Sequence, residues 1–407
     1  MTVKKDRVAP LVILMINMFI AMLGIGLIIP VLPDYLKEFN AGGSAAGYMI
    51  AAFGLTQFIF SPIAGEWSDK YGRKIMIVSG LVLFTLSNLF FALATDLWML
   101  YASRMIGGIG AASMIPSMMA YIADVTTPEK RGKGMGLLGA AMSLGFVIGP
   151  GVGGFLAALG LRMPFYVSAG VAALATIGSL LILPESRSRE EREASKASTQ
   201  KRESLLRQFT QSVKAPYFIL LLLVFSMTFG LANLEAVFPL FLDAKYAYDT
   251  QDISILFTVG ALASAIIQAV LIGKLIERFG ERKLINFTFL LSAVTMVLML
   301  LSGNFWYILL LTVMFFTFTS VMRPAINTLL SKMAGNEQGF VAGMNNAYMS
   351  IGNILGPALA GILYDIDLNL PYTVGAIILL GSFTLSMTRG RHLRPRNDGS
   401  AEPQRAV

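Results

Sequence analysis

The sequence predicts an all-α membrane protein with twelve transmembrane helices in two pseudo-symmetric six-helix bundles. Three observations support this. Apolar runs long enough to cross a bilayer recur along the whole chain. Once these runs are threaded through a membrane, Lys and Arg collect on one side of it. Two unrelated motifs each occur twice, at nearly the same offset.

Of the 407 residues, 55% are hydrophobic and only 14% are charged, whereas a soluble protein carries roughly 25% charged residues. The charges gather at short junctions between apolar stretches. About twenty apolar residues span the hydrocarbon core as a helix. The stretches place spans at residues 9–31, 45–65, 75–94, 97–121, 135–158, 163–183, 215–240, 251–273, 284–302, 305–329, 339–364 and 371–388. The first run, over residues 10–32, is too long for a signal-peptide core and has no small-x-small cleavage site after it. It is read as a retained helix.

The formal net charge is +8, and its placement explains it. With the N-terminus in the cytoplasm, all but five of the 32 Lys and Arg fall on the cytoplasmic side. Lys37, Arg162 and Lys245 lie in outer loops, and Arg104 and Arg323 lie within spans. This asymmetry sets topology, puts both termini in the cytoplasm, and makes nucleic acid an unneeded partner. There is no cysteine, and the single histidine, His392, sits in the charged tail. Disulfides, thiolate metal sites and intramembrane histidine relays are therefore excluded, and no metal or cofactor is expected. No P-loop occurs, so an ATP-driven pump is not expected. No histidine, cysteine or paired carboxylates lie at membrane depth, so an enzyme is not expected either.

After six spans the chain breaks into a segment rich in Arg, Glu, Ser and Lys, with too little apolar surface to pack. The predicted division is an N-terminal bundle over 1–183, a cytoplasmic linker over 184–214, a C-terminal bundle over 215–388 and a cytoplasmic tail over 389–407. A short surface helix is expected within the linker, around residues 204–209. Span five carries Gly145, Gly149, Pro150 and Gly154 in the pattern G-x-x-x-G-P-x-x-x-G. Span eleven repeats it with Gly352, Gly356, Pro357 and Gly361, offset by 207 residues. Gly65, Asp69, Gly72, Arg73 and Lys74 follow span two. Gly273, Glu277, Gly280, Arg282 and Lys283 follow span eight at an offset of 208, with one inserted residue. Two motif pairs at nearly one offset imply a duplicated unit.

These residues resemble the major facilitator superfamily over nearly the full chain. The Asp69 loop is similar to that family's signature loop, the Gly-Pro pattern of span five to its antiporter motif, and the stretch Arg104, Gly107, Gly108 to a third motif. Gly24, Gly26, Pro30 and Pro33, then Arg162 to Tyr166, then Met322 to Asn327, resemble more narrowly the twelve-helix drug/proton antiporters of the Bmr and NorA type. The resemblance implies a monomeric transporter of the bacterial cytoplasmic membrane. It would export dyes, quaternary ammonium compounds and fluoroquinolones in exchange for protons. Its partners would be small-molecule drugs, protons and the lipid bilayer.

Ionisable groups at membrane depth are costly and default to function. Glu235 in span seven is the foremost. Desolvation disfavours the charged form there, so the group can hold a proton in one state and attract a cation in another. The resemblance also places a glutamate here. Asp34 is either an accessory proton site or a wet loop residue. Arg104 and Arg323 are expected to face a central cavity and to pair with carbonyls or Glu235; for Arg104 a structural bond to a neighbouring helix is the alternative. Some relatives carry an aspartate three residues before the span-ten arginine. Here it is Ser320, which puts a second carboxylate on the proton pathway in doubt. Asp69 is expected to cap a helix N-terminus and to pair with Arg73 and Lys74. The resemblance gives Gly65, Asp69, Gly72, Arg73 and Lys74 a part in latching the bundles. Asp124 reads as a gate or loop residue. Gly145, Gly149, Pro150 and Gly154 permit close helix approach.

A drug cavity should be apolar with a few polar anchors. Its candidates are Asn17, Phe19, Met22, Phe53, Gln57, Arg104, Met142, Phe146, Arg323, Asn345 and Asn353. The 23 Met and 27 Phe suit adaptable walls and cation–π contacts. Multidrug export is the reading adopted. A dedicated exporter of one metabolite, sugar or antibiotic such as tetracycline, on the same fold, stays open. So does sodium in place of the proton.

Overall fold

The computed structural model describes residues 8–197, 205–335 and 337–389. His392, the tail beyond Arg389, and Ser204 at the start of the expected linker helix lie outside these residues. The described residues form sixteen helices and no strands. In the first half these are α1 (Val8–Gly26), α2 (Leu32–Glu38), α3 (Gly43–Tyr71), α4 (Arg73–Ala92), α5 (Leu97–Val125), α6 (Pro128–Ala157) and α7 (Met163–Ile182). The linker holds α8 (Arg189–Ala197) and α9 (Leu205–Val213). The second half is α10 (Phe218–Tyr246), α11 (Thr250–Val270), α12 (Ile272–Phe279), α13 (Glu281–Leu298), α14 (Phe305–Ala334), α15 (Gln338–Ile366) and α16 (Leu370–Arg389).

Eleven of these helices are long and apolar enough to cross a membrane. The twelfth span is α13, whose 18 residues begin with Glu281, Arg282 and Lys283; those three charges fill its first turn, outside the apolar run. The chain is a multi-pass membrane protein. Several spans outrun their apolar windows, because a helix continues into water once started. Thus α3 reaches Tyr71 and α6 begins at Pro128. The first span does the reverse. It ends at Gly26 and the chain turns into α2, since Pro30 and Pro33 lack the amide that would continue the ladder. Helix starts follow local chemistry. Asp249 accepts the Asp252 amide at 2.8 Å to cap α11, and Asn304 accepts the amides of Trp306 and Tyr307 to cap α14.

The two halves pack alike. In the first, α1 lies against α6 and α7, and α5 against α3 and α4; in the second, α10 lies against α15 and α16, and α14 against α11 and α13. Across the halves, α3 meets α15 and α11 meets α6, contacts that the pseudo-symmetry exchanges. Each half buries an apolar core of its own, and a third cluster of first-half residues takes in Leu240 of the second half. Outward-facing apolar groups such as Leu181 at 79% exposure and Phe155 at 71% cover the bundle with a surface suited to lipid. Trp98 and Trp306 stand at the start of their spans, where amphipathic rings favour the interface.

The glycines show how the halves meet. A Cβ on Gly47 would lie 2.1 Å from the Pro357 carbonyl, one on Gly361 2.3 Å from the Gly43 carbonyl, and one on Gly154 2.6 Å from the Ser254 hydroxyl. These contacts all belong to the face opposite the linker, termed the far face. Toward the linker face, Gly65 of α3, Gly132, Gly136 and Gly139 of α6, and Gly339 and Gly343 of α15 have nothing within 4 Å of such a Cβ. The bundles close on each other at the far face and part toward the linker face.

Candidate functional site

Just inside the far-face contact lies a chamber of about 1030 Å³, its open mouth included. The first half supplies Ile25, Ile28 and Ile29, then Met49, Phe53, Phe91 and Phe146; the second supplies Ala232 and Pro239. Four polar side chains break this wall: Gln57, Arg104, Glu235 and Asn353. A mostly apolar wall with few polar groups is what a ligand site requires.

Glu235 projects from α10 and is half-buried. Among the described residues it makes neither a hydrogen bond nor an ion pair. Arg323 of α14 is close enough to act on it electrostatically without contact. Arg104 of α5 sits with its guanidinium carbon 4.3 Å from the centroid of Phe91. Its Nε is buried without a partner, and the described residues offer the guanidinium no acceptor. The expected pairing of Arg104 with a carbonyl or with Glu235 is therefore replaced by stacking on a ring. An aromatic face attracts a cation but leaves its N–H donors free.

The other cavity candidates scatter. Asn17 is 1% exposed and donates to Ser179 Oγ at 2.8 Å, so it ties α1 to α7 and faces away from the chamber. Phe19 packs half-buried on the core of the first bundle, Met22 lies buried against Gly145 of α6, and neither lines the chamber. Met142 stands one turn from Phe146 toward the linker face and is exposed. Arg323 and Asn345 converge on the Met349 sulfur at 3.7 and 3.8 Å, outside the chamber wall. Helical periodicity gives the spacing of a face but not the neighbour it meets, which is why these residues could not be sorted from sequence.

The far face carries a set of contacts that the sequence did not reveal. Asp365 Oδ1 accepts the Gly43 amide at 2.7 Å, and Oδ2 accepts the Ser44 amide at 3.0 Å. Asp34 accepts the Thr250 hydroxyl at 2.7 Å and pairs with Lys37 at 3.1 Å. Lys37 also reaches Asp243 at 2.9 Å, and the Asp243 hydrogen bond, with Asp34 adding to it, raises the Lys37 amine above its ordinary range. Ser254 donates to the Pro150 carbonyl. Each of these joins one half to the other, except Asp34 with Lys37. Asp34 thus lies at the inter-bundle seam and not on the chamber wall.

The Gly-Pro motif divides its work. Gly145 and Gly149 let α6 approach α1, while Gly154 faces Ser254 of the other half. In the repeat, Gly352 and Gly356 approach α10, and Gly361 approaches Gly43 of the other half. At the linker face, Gly72 has φ +118° and its counterpart Gly280 has φ +76°, conformations that glycine adopts without strain. Asp69 pairs with Arg73 at 2.7 Å and with Arg187 at 3.2 Å. Arg73 also reaches Asp124 at 3.1 Å, which ties Asp124 to the loop. The cap of α4 is not Asp69. Glu185, from the linker, accepts the Arg73 amide at 2.8 Å and the Lys74 amide at 3.1 Å. Lys74 donates instead to the Leu180 carbonyl at 2.7 Å. The linker helix α8 was not foreseen either. It docks on α3, where Arg192 donates to the Tyr71 carbonyl at 3.2 Å.

Two like bundles, spanning a membrane around a chamber that opens to one face, define a membrane carrier. The chain belongs to the major facilitator superfamily, whose model matches residues 14–246 and 220–407. It is 43% identical to Multidrug resistance protein 2 of Bacillus subtilis (strain 168) over 92% of this chain and 94% of that protein. With Multidrug resistance protein 1 of the same organism it shares 45% identity, over 93% and 95%. With Quinolone resistance protein NorA of Staphylococcus aureus (strain COL) it shares 34%, over 93% and 96%. Among solved structures, a bacterial homolog of the human lysosomal transporter Spinster, inward-facing and occupied, superposes with a TM-score of 0.77 at 16% identity, over 94% of this chain and 96% of that one. That likeness concerns the fold alone.

Proposed function

We propose that this protein exports lipophilic, often cationic drugs from a bacterial cell in exchange for protons, by alternating access between its two bundles. The observation that carries the reading is Glu235, an unpaired carboxylate set in an aliphatic and aromatic chamber. The names borne by relatives at 34–45% identity support the same reading.

Charge asymmetry favours both termini and the linker in the cytoplasm, so the chamber opens inward here. The working division is 1–183, 184–214, 215–388 and 389–407, and the working unit is a monomer in the lipid bilayer, with no catalytic step. Deprotonated Glu235 attracts a cationic drug from the inside, and the aromatic walls hold its body. The far-face contacts then part, the linker face closes, and an outside proton displaces the drug from Glu235. The proton leaves to the cytoplasm when the carrier resets. Drug and proton compete for one carboxylate, so each unit of pH gradient contributes about 1.36 kcal/mol per proton. In this scheme Asp69, Arg73 and Asp124 hold the linker-face loop in shape, with Gly65 and Gly72 beside them, while Gly145, Gly149, Pro150 and Gly154 form the rocking contacts.

The test is ethidium efflux from proteoliposomes under an imposed pH gradient. Wild type should show gradient-driven efflux and Glu235→Gln should not. Efflux that survives in Glu235→Gln overturns the role of Glu235. A wild type that moves no ethidium and no other lipophilic cation points to a dedicated exporter of one compound.

A further inference from the structure

We propose that the linker-face end of the second half, where α12 runs into α13, holds the phosphate headgroup of an anionic phospholipid through Lys274 and Arg278. This goes beyond the export reading and does not depend on what the chamber carries.

The argument starts from a broken symmetry. Helix α4 begins directly after Gly72 and α13 directly after Gly280, so Arg73 and Glu281 occupy one position of the repeat, at an offset of 208. At that offset the pair of Arg73 with Asp124 returns as Glu281 with Lys332, its charges exchanged. The preceding pair does not return. Glu66 bridges Lys70 in the first half, whereas the same two positions in the second half are Lys274 and Arg278. Like charges four residues apart on a helix repel. Both side chains are exposed, and among the described residues neither meets a carboxylate. Arg282 and Lys283 follow, also without one. Glu281 is taken by Lys332, which leaves Glu277 as the only other carboxylate between Val270 and Lys283, against four cations. Topology alone does not call for this. The first half sets Lys70 and Arg73 on the same face and neutralises both.

The apolar side of α12 selects the kind of anion. Ile272, Leu275 and Ile276 pack on the core of the second half. Val270, Leu271 and Phe279 stay exposed, and the Arg278 guanidinium carbon lies 5.6 Å from the Phe279 ring centroid. Helix α12 directly follows the apolar span α11, which sets it at the membrane surface. A soluble anion would meet the cations alone. A phospholipid meets both features: its phosphate neutralises Lys274 and Arg278, and its acyl chains cover the exposed apolar groups.

The repeat supplies its own control, because Phe279 corresponds to Tyr71, which is also exposed. The chain has no cysteine, so a bimane fluorophore is placed at Phe279→Cys or at Tyr71→Cys on the full chain in phosphatidylcholine liposomes. Quenching by spin-labelled phosphatidylglycerol is compared with quenching by spin-labelled phosphatidylcholine. At 279 the anionic lipid should be preferred by at least about fivefold, and at 71 by no more than about twofold. Lys274→Gln with Arg278→Gln should bring the ratio at 279 down to that at 71. Lys130→Gln with Lys133→Gln, which removes the same charge from α6, should leave it unchanged. Equal ratios at 279 and 71, or a preference at 279 that survives Lys274→Gln with Arg278→Gln, overturns the proposal. A preference abolished by millimolar inorganic phosphate at fixed ionic strength marks a free-phosphate site and overturns the lipid assignment. Should the double variant not fold, the comparison of 279 with 71 decides.

Discussion

Asp365 caps a helix that belongs to the other half of the molecule: its Oδ1 accepts the amide of Gly43 at 2.7 Å. The first turn of α3 starts at Gly42 and Gly43, and no side chain of its own segment caps it. The counterpart helix α11 is capped by its own Asp249. The repeat offset aligns Thr250 with Gly43 and Ala158 with Asp365. One half has therefore given up its own cap and takes one from across the interface, available only while the far face is closed. A carboxylate at a helix N-terminus meets both free amides and the helix dipole.

Asp365→Ala should therefore loosen far-face closure. A lost cap costs about 1–2 kcal/mol, near a tenfold change in the closed-to-open ratio. The chain has no cysteine, so spin labels at Leu159→Cys and Leu301→Cys, exposed far-face positions on the two halves, report the distance. The long-distance fraction should rise in Asp365→Ala. An unchanged distribution would remove Asp365 from the latch. Lys37 with Asp243 is a solvent-exposed pair, worth under about 1 kcal/mol, so Lys37→Gln should move the same distribution much less.

Substitution at the seam glycines should separate transport from folding. Gly47→Val and Gly361→Val place carbon on a carbonyl of the opposite half, so efflux should fall at least tenfold while melting temperature stays within a few degrees. Gly65 meets nothing in the present conformation. If Gly65→Val also blocks efflux without loss of stability, that glycine is needed when the linker face closes. Full activity in Gly65→Val would free it of any such part.

The Glu185 cap should be a stability element. Its carboxylate accepts four amides, those of Arg73, Lys74, Ser186 and Arg187. Glu185→Ala should cost about 1–2 kcal/mol and lower the thermal midpoint in detergent. Asp69→Ala leaves that cap in place, so it should lower the midpoint less. The reverse order would restore Asp69 as the principal anchor.

Features that stand out against an apolar background were legible in the sequence. Glu235, Arg104, Gln57 and Asn353 interrupt long hydrophobic runs, and the structure brings all four to one chamber. The glycine repeat was legible because small residues at fixed spacing have one main use in a membrane. Asp365, Glu185, Lys37 and Asp243 were missed because they sit among other charges at helix ends, where a carboxylate facing water and one facing an amide look alike. Asn17 shows the opposite failure. A polar residue within a span invited a cavity role, but Ser179 satisfies it inside the bundle. The unpaired state of Arg104 was equally invisible, since sequence does not tell whether an acceptor lies within reach.

The central claim is that drug and proton compete for Glu235. Proton release on drug binding tests it most directly, with an indicator dye reporting on the weakly buffered, detergent-solubilised protein as ethidium is added. Wild type should release a proton as ethidium binds, approaching about one per molecule as pH is lowered and Glu235 starts protonated. Glu235→Gln should release none at any pH. No release by wild type across that range, or equal release by Glu235→Gln, would contradict the claim.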